Sequence, residues 1–219
     1  WSDRNTAVLF GDGAGAVVVE ESKKEEDGEI FSFVNGLSSD KLDILEVPNF
    51  GSAMDRFNKD EAAKVRWTFD GQEIFKGGIR AMAKASDEVI TKSGLKKEDI
   101  NLLIPHQANL RIVEGLEKML SLPNATTIKK VHKYGNTSAA SIPTALVDAL
   151  EEGEIKGGEV AVFTAVGAGL SWGACALRLG ERTTPINTSD AKLPDFDGKA
   201  VDTIRKAIEY QIPEKLDLI

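Results

Sequence analysis

The run Leu102-Leu103-Ile104-Pro105-His106-Gln107-Ala108-Asn109-Leu110-Arg111 constrains the chain more than any other stretch. Its opening apolar residues are too few for a helix and too apolar for a loop, so they read as a buried strand. Pro105 lacks the N–H that would continue a ladder and keeps Ile104 extended, so the strand stops there. Beyond it, Leu110, Val113, Leu116 and Leu120 recur at helical spacing. His106 is therefore expected at the carboxyl end of a strand, just ahead of a helix. In open α/β sheets that edge is where ligands bind. An imidazole held there can act as a base, an acid or a hydrogen-bond donor. A lone histidine in such a place can equally be a partly buried structural residue.

A second motif, residues 132–143, repeats the arrangement. Residues 126–131 before it read as a short strand, and Ala145, Leu146, Ala149 and Leu150 after it form a helical stripe. Asn136, Thr137 and Ser138 are all good helix N-cap residues. The small run Ala139-Ala140-Ser141 lets a helix start pack close to other backbone. Asn136 either only caps that helix, or joins His106 from an equivalent edge of one sheet.

Residues 104–111 and 134–143 resemble the two C-terminal signatures of β-ketoacyl-acyl-carrier-protein synthase III, the thiolase-type enzyme that starts fatty-acid chains. The resemblance implies that His106 and Asn136 are catalytic, as neutral donors to a thioester enolate. It makes the backbone N–H of Ala168 an oxyanion donor, and sets Gly71, Phe75, Val166 and Gly167 along the substrate tunnel. It assigns Gln107, Ala108, Asn109, Leu110 and Arg111 to docking of the acyl-carrier protein. The substrates it implies are an acyl-CoA primer and malonyl-acyl-carrier protein, with no further cofactor and a homodimer when full length. The family's nucleophilic cysteine belongs to a first half that precedes these residues. Cys175, the single cysteine, lies in strand context without the helix N-terminus that depresses a thiol pKa, and reads as packing. This chain alone is expected to supply half of an active site.

The rest of the chain agrees with a half-fold. Residues 6–19 carry Gly11, Gly13 and Gly15 ahead of an expected strand at 17–19, and resemble the end of the family's first half. A phosphate loop is the alternative, but the Lys-Ser/Thr pair is missing and no helix follows. Residues 30–37 read as a strand. Residues 40–69 read as a long connection, with a short helix near 59–65, of a length that often builds a tunnel wall. Asp70 opens a helix with a stripe from Ile74 to Ile90, closed by Gly94. Gly77-Gly78 inside it costs about 1 kcal/mol each against alanine, which points to close packing. Residues 159–165 and 170–179 read as a hairpin around Val166-Gly167-Ala168-Gly169. An aromatic residue is common in the family where Val166 stands, and a glycine where Ala168 stands.

The order strand, helix, strand, helix, strand, helix, strand, strand predicts an α/β thiolase-like half: a mixed, mostly parallel sheet with helices on both faces. Residues 1–28 are read as the end of the first half, 29–179 as the C-terminal domain, and 180–219 as a linker plus a helix at 202–211. The resemblance is expected to end near Leu179. The formal net charge of −8 argues against a nucleic-acid surface. Arg111, extended by Lys129, Lys130 and Lys133, is a candidate basic patch for an acidic carrier. A single cysteine excludes an internal disulfide and fits a reducing cytoplasm. No apolar run reaches the roughly 20 residues of a membrane span, and no signal peptide is visible. Alternatives in the same chemistry are a secondary-metabolite ketosynthase or acyltransferase. A non-catalytic thiolase-like subunit is the alternative outside it.

Overall fold

The computed structural model describes residues 4–24, 27–40, 42–47 and 67–185, with positions 198, 199, 202 and 205. The helix expected near 59–65 and all but Asp202 and Arg205 of the expected tail helix lie outside the described residues.

A mixed sheet organises the domain. Its strands are β1 (Glu29–Leu37), β4 (Leu102–Pro105), β5 (Thr126–Thr127), β6 (Val160–Gly167) and β7 (Ser171–Arg178), and a small separate ladder joins β2 (Leu45–Glu46) to β3 (Thr68–Phe69). The order across the large sheet is β1-β7-β6-β4-β5. β4 runs parallel to both β5 and β6, while β7 is antiparallel to β6 and to β1. Four strands thus point one way and β7 alone is reversed, which is the mostly parallel sheet the alternation implied.

Helices cover both faces. The helices described in full are α1 (Arg4–Ala7), α2 (Gly71–Lys92), α3 (Leu110–Leu120), α4 (Val131–Tyr134) and α5 (Ser141–Glu151). Side chains of β4 alternate: Leu103 packs with Met82, Val89, Ile112 and Leu116 of α2 and α3, whereas Leu102 and Ile104 pack with Ala145 and Ala149 of α5. Asp70 caps α2, its carboxylate accepting from the N–H groups of Gln72 and Glu73 at 3.1 Å, a contact worth about 1 kcal/mol. Gly94, at φ +70, follows the last turn. The paired glycines mark a close approach: a Cβ on Gly77 would stand 2.8 Å from Leu170 Cδ1, and one on Gly78 3.2 Å from Val166 Cγ1.

Two sequence expectations fail locally. Only Thr126–Thr127 of the strand expected over 126–131 pairs, because Val131 already opens α4. Residues 17–19 form no strand among the described residues, and Val18 is 94% exposed. A β-branched run becomes a strand only when a neighbour supplies the ladder.

Candidate active site

His106 is placed by the sheet. The β4–β6 ladder runs to Pro105 opposite Thr164, and the His106 N–H donates to Thr164 O at 2.8 Å. The side chain therefore leaves at the carboxyl ends of two parallel strands. Asn109 caps the following α3, accepting from Ile112 N–H at 3.0 Å.

Asn136 arrives from the neighbouring crossover. Its backbone forms an isolated parallel bridge with Phe10: Asn136 N–H donates to Leu9 O at 2.8 Å, and Gly11 N–H donates to Asn136 O at 3.0 Å. It does not cap α5, which starts at Ser141 after a single 3-10 turn at Ser138–Ala140. Its Oδ1 instead accepts from Ser138 N–H at 2.9 Å, with Ser138 at φ 53. That bond turns the amide so that Nδ2 remains for a ligand. The glycines of residues 11–15 serve this seam. A Cβ on Gly11 would stand 2.0 Å from Tyr134 O, and one on Gly15 2.4 Å from Pro143 Cγ. Gly11 lets two backbones touch and Gly15 makes room for the Pro143 ring, so the segment is packed rather than an open phosphate cradle.

His106 and Asn136 face one cavity of about 480 Å³. Val166, Gly167 and Ala168 line it. So do the apolar side chains of Phe10, Trp67, Phe69, Ile74, Leu170 and Trp172. Phe10 stacks at 5.2 Å from Trp67 and edge-on at 6.4 Å from Phe69. Among the described residues Ser121 and Ser138 are the non-glycine positions with positive φ, so Ala168 occupies its turn without left-handed strain. A glycine is not needed there.

The His106 ring is largely buried, and burial lowers its pKa to about 4. The imidazole is therefore neutral at pH 7, a donor or acceptor rather than a cation. Its Nδ1 lies 2.6 Å from Ser141 Oγ, which also accepts from Gln107 N–H at 3.2 Å. An NMR titration should show no protonation of His106 near pH 6.5, only on approach to about 4. Because the unfolded imidazole protonates first, acid between those values favours the unfolded chain. Stability should fall there as pH drops, and less steeply in a variant lacking the imidazole.

Several expected roles change. Gln107 is 2% exposed. Its Nε2 donates to Pro105 O and Ile128 O, and its Oε1 accepts from the N–H groups of Lys130 and Val131. It braces β4 against β5 and α4 and cannot meet a carrier protein. Ala108 and Asn109 line the cavity, so of the expected docking stretch only Leu110 and Arg111 are exposed. The lysine patch is neutralised: Lys129 pairs with Glu117, Lys130 with Glu152 and Glu154, and Lys133 with Asp148. Gly71 and Phe75 are exposed, and it is the intervening Ile74 that reaches the cavity. Cys175 sits in mid-strand on β7, away from the cavity, and burial pushes its thiol pKa up. Among the described residues no His/Cys/Asp/Glu group could hold a metal ion.

Ser141 and the aromatic wall were not anticipated. The wall joins residues far apart in sequence, so no local pattern announces it. Ser141 left a faint signal: it closes the small run Ala139-Ala140-Ser141 at a close-packing helix start.

Comparison with known proteins identifies the family. The family model described as 3-oxoacyl-[acyl-carrier-protein (ACP)] synthase III matches residues 1–38, and that of the same enzyme's C terminal matches residues 90–179. The chain belongs to the 3-oxoacyl-[acyl-carrier-protein] synthase III family. The β-ketoacyl-[acyl-carrier-protein] synthase III 2 of Vibrio cholerae is 46% identical over 215 residues, covering 96% of this chain and 57% of the relative. That match passes Leu179 and takes in most of the tail, where the resemblance was expected to stop. The crystal structure of 3-oxoacyl-(acyl carrier protein) synthase III from Pseudomonas aeruginosa superposes with a TM-score of 0.73 at 35% identity, over 84% of this chain and 54% of that one. That of the Aquifex aeolicus synthase III gives 0.68 at 40%, over 80% and 52%. The chain thus spans little more than half the length of the synthase III proteins it matches.

Proposed function

We propose that this chain is the C-terminal part of an enzyme that initiates fatty-acid chains by decarboxylative Claisen condensation of an acyl-CoA primer with malonyl-acyl-carrier protein. The observation that carries the reading is the convergence of neutral His106 and Asn136 on one cavity that holds no cysteine. A polypeptide preceding these residues supplies the cysteine thiolate that carries the primer. When the malonyl thioester loses CO₂, the bonding pair moves into the thioester and leaves an enolate oxygen. The N–H donors of His106 and Asn136 hold that oxygen. The enolate carbon attacks the cysteine-bound acyl carbonyl, whose oxyanion takes the Ala168 N–H, and collapse releases the thiolate. The thioesters bring all the reactive chemistry, so no cofactor enters. The full-length protein acts in the cytoplasm as a homodimer.

The test is malonyl decarboxylation by a protein joining this chain to a first half that carries the cysteine. A rate no faster than that of the free thioester overturns the reading. Carrier docking is narrower than the family stretch and rests on exposed Arg111, which has no ion-pair partner among the described residues, beside exposed Leu110. Arg111→Glu should weaken carrier-protein binding about tenfold or more and flatten its salt dependence. Unchanged affinity removes Arg111 from the interface.

A further inference from the structure

We propose that Ser141 is a positioning residue that fixes the tautomer of His106, keeping the ring proton on Nε2. The proposal deepens the reading of His106 as an enolate donor and rests on it for its catalytic consequence.

Ser141 opens α5 and is 2% exposed. A hydroxyl has one proton to give and two lone pairs to receive. The Gln107 N–H occupies one lone pair, at 3.2 Å. The contact with His106 Nδ1 at 2.6 Å can then run in either direction. If Nδ1 carried the proton and donated, the hydroxyl hydrogen would need another acceptor, and among the described residues Ser141 Oγ has none. A buried hydroxyl left with an unpaired proton is disfavoured. If the hydroxyl donates to Nδ1, every group is paired. The neutral ring has a single N–H, which must then sit on Nε2, the nitrogen left for the cavity.

The surroundings make this direction rigid. The backbone of His106 is tied to Thr164 O, and the Gln107 side chain is locked by Pro105, Ile128, Lys130 and Val131. The Gln107 N–H is thereby held against Ser141, and the relay from amide to hydroxyl to imidazole polarises each member in turn. The sequence segment that delivers Asn136 also delivers Ser141, five residues later, so one crossover orients both donors.

The test begins with nitrogen-15 NMR of the imidazole in this chain, which requires no turnover. The wild type should show Nδ1 as unprotonated and Nε2 as protonated. Ser141→Ala should move both resonances toward a tautomer average, and Ser141→Thr should restore them. In the protein joined to its first half, Ser141→Ala should lower kcat for decarboxylation about tenfold with little change in KM. Ser141→Thr should recover most of that rate. A wild-type spectrum with the proton on Nδ1 overturns the proposal by itself, whatever the variants do. So does Ser141→Ala with unaltered resonances and kcat. If the wild-type spectrum is as expected but His106→Ala does not slow decarboxylation, the condensing role fails while the tautomer assignment stands.

Discussion

His106→Ala, in the protein joined to its first half, should lower malonyl decarboxylation about 10²–10³-fold, the usual loss for one preorganised oxyanion donor. The substitution strands the Ser141 hydroxyl, but the backbone there is fixed independently of the ring: His106 N–H donates to Thr164 O, and Ala108 N–H donates to His106 O at 3.0 Å. Truncation therefore removes an N–H from the cavity without unpinning the strand end. The half-reaction that loads the primer does not need the enolate donor, so acyl transfer from acyl-CoA to the cysteine should persist. Decarboxylation within about threefold of wild type would remove His106 from the chemistry.

The second large effect should come from a glycine remote from the substrate. Gly11→Ala places a methyl 2.0 Å from Tyr134 O, a backbone atom that cannot rotate away. Residues 9–11 must then separate from 134–136, breaking the two hydrogen bonds that set Asn136. Overpacking of this kind costs about 1–3 kcal/mol. We expect a comparable loss in thermal unfolding and a fall in decarboxylation approaching that of losing the Asn136 donor. Gly71→Ala is the control. Its nearest neighbour would be a Phe69 ring carbon at 3.4 Å, and it begins α2 without positive φ. Its stability should be unchanged or slightly raised, since alanine favours helix. Equal effects at Gly11 and Gly71 would show that the seam does not position the site.

What the sequence disclosed is local. An apolar triplet closed by Pro105 can only be a buried strand with its end at His106, and the Asp70 cap and the Ile74–Ile90 stripe announce α2. Side-chain partnerships were hidden where polar residues are buried by distant elements. Gln107 and Lys130 look like surface groups by type, yet one is locked by backbone amides and carbonyls and the other, with its side chain 5% exposed, pairs with Glu152 and Glu154. The strand read over 126–131 stops early: Ile128 N–H still donates to Leu103 O, but the chain then turns and Val131 already opens α4. The cavity wall was invisible because Phe10, Trp67 and Trp172 meet only once the chain is folded.

The Phe10–Asn136 bridge also ties the site to the segment that runs ahead of the domain. The backbone of Asn136 is anchored by main-chain atoms of Leu9 and Gly11, from the stretch that resembles the end of the preceding lobe, so the placing of the proposed enolate donor depends on that stretch. Grafting a foreign first lobe onto this one should succeed only where the donor brings a glycine to meet Tyr134.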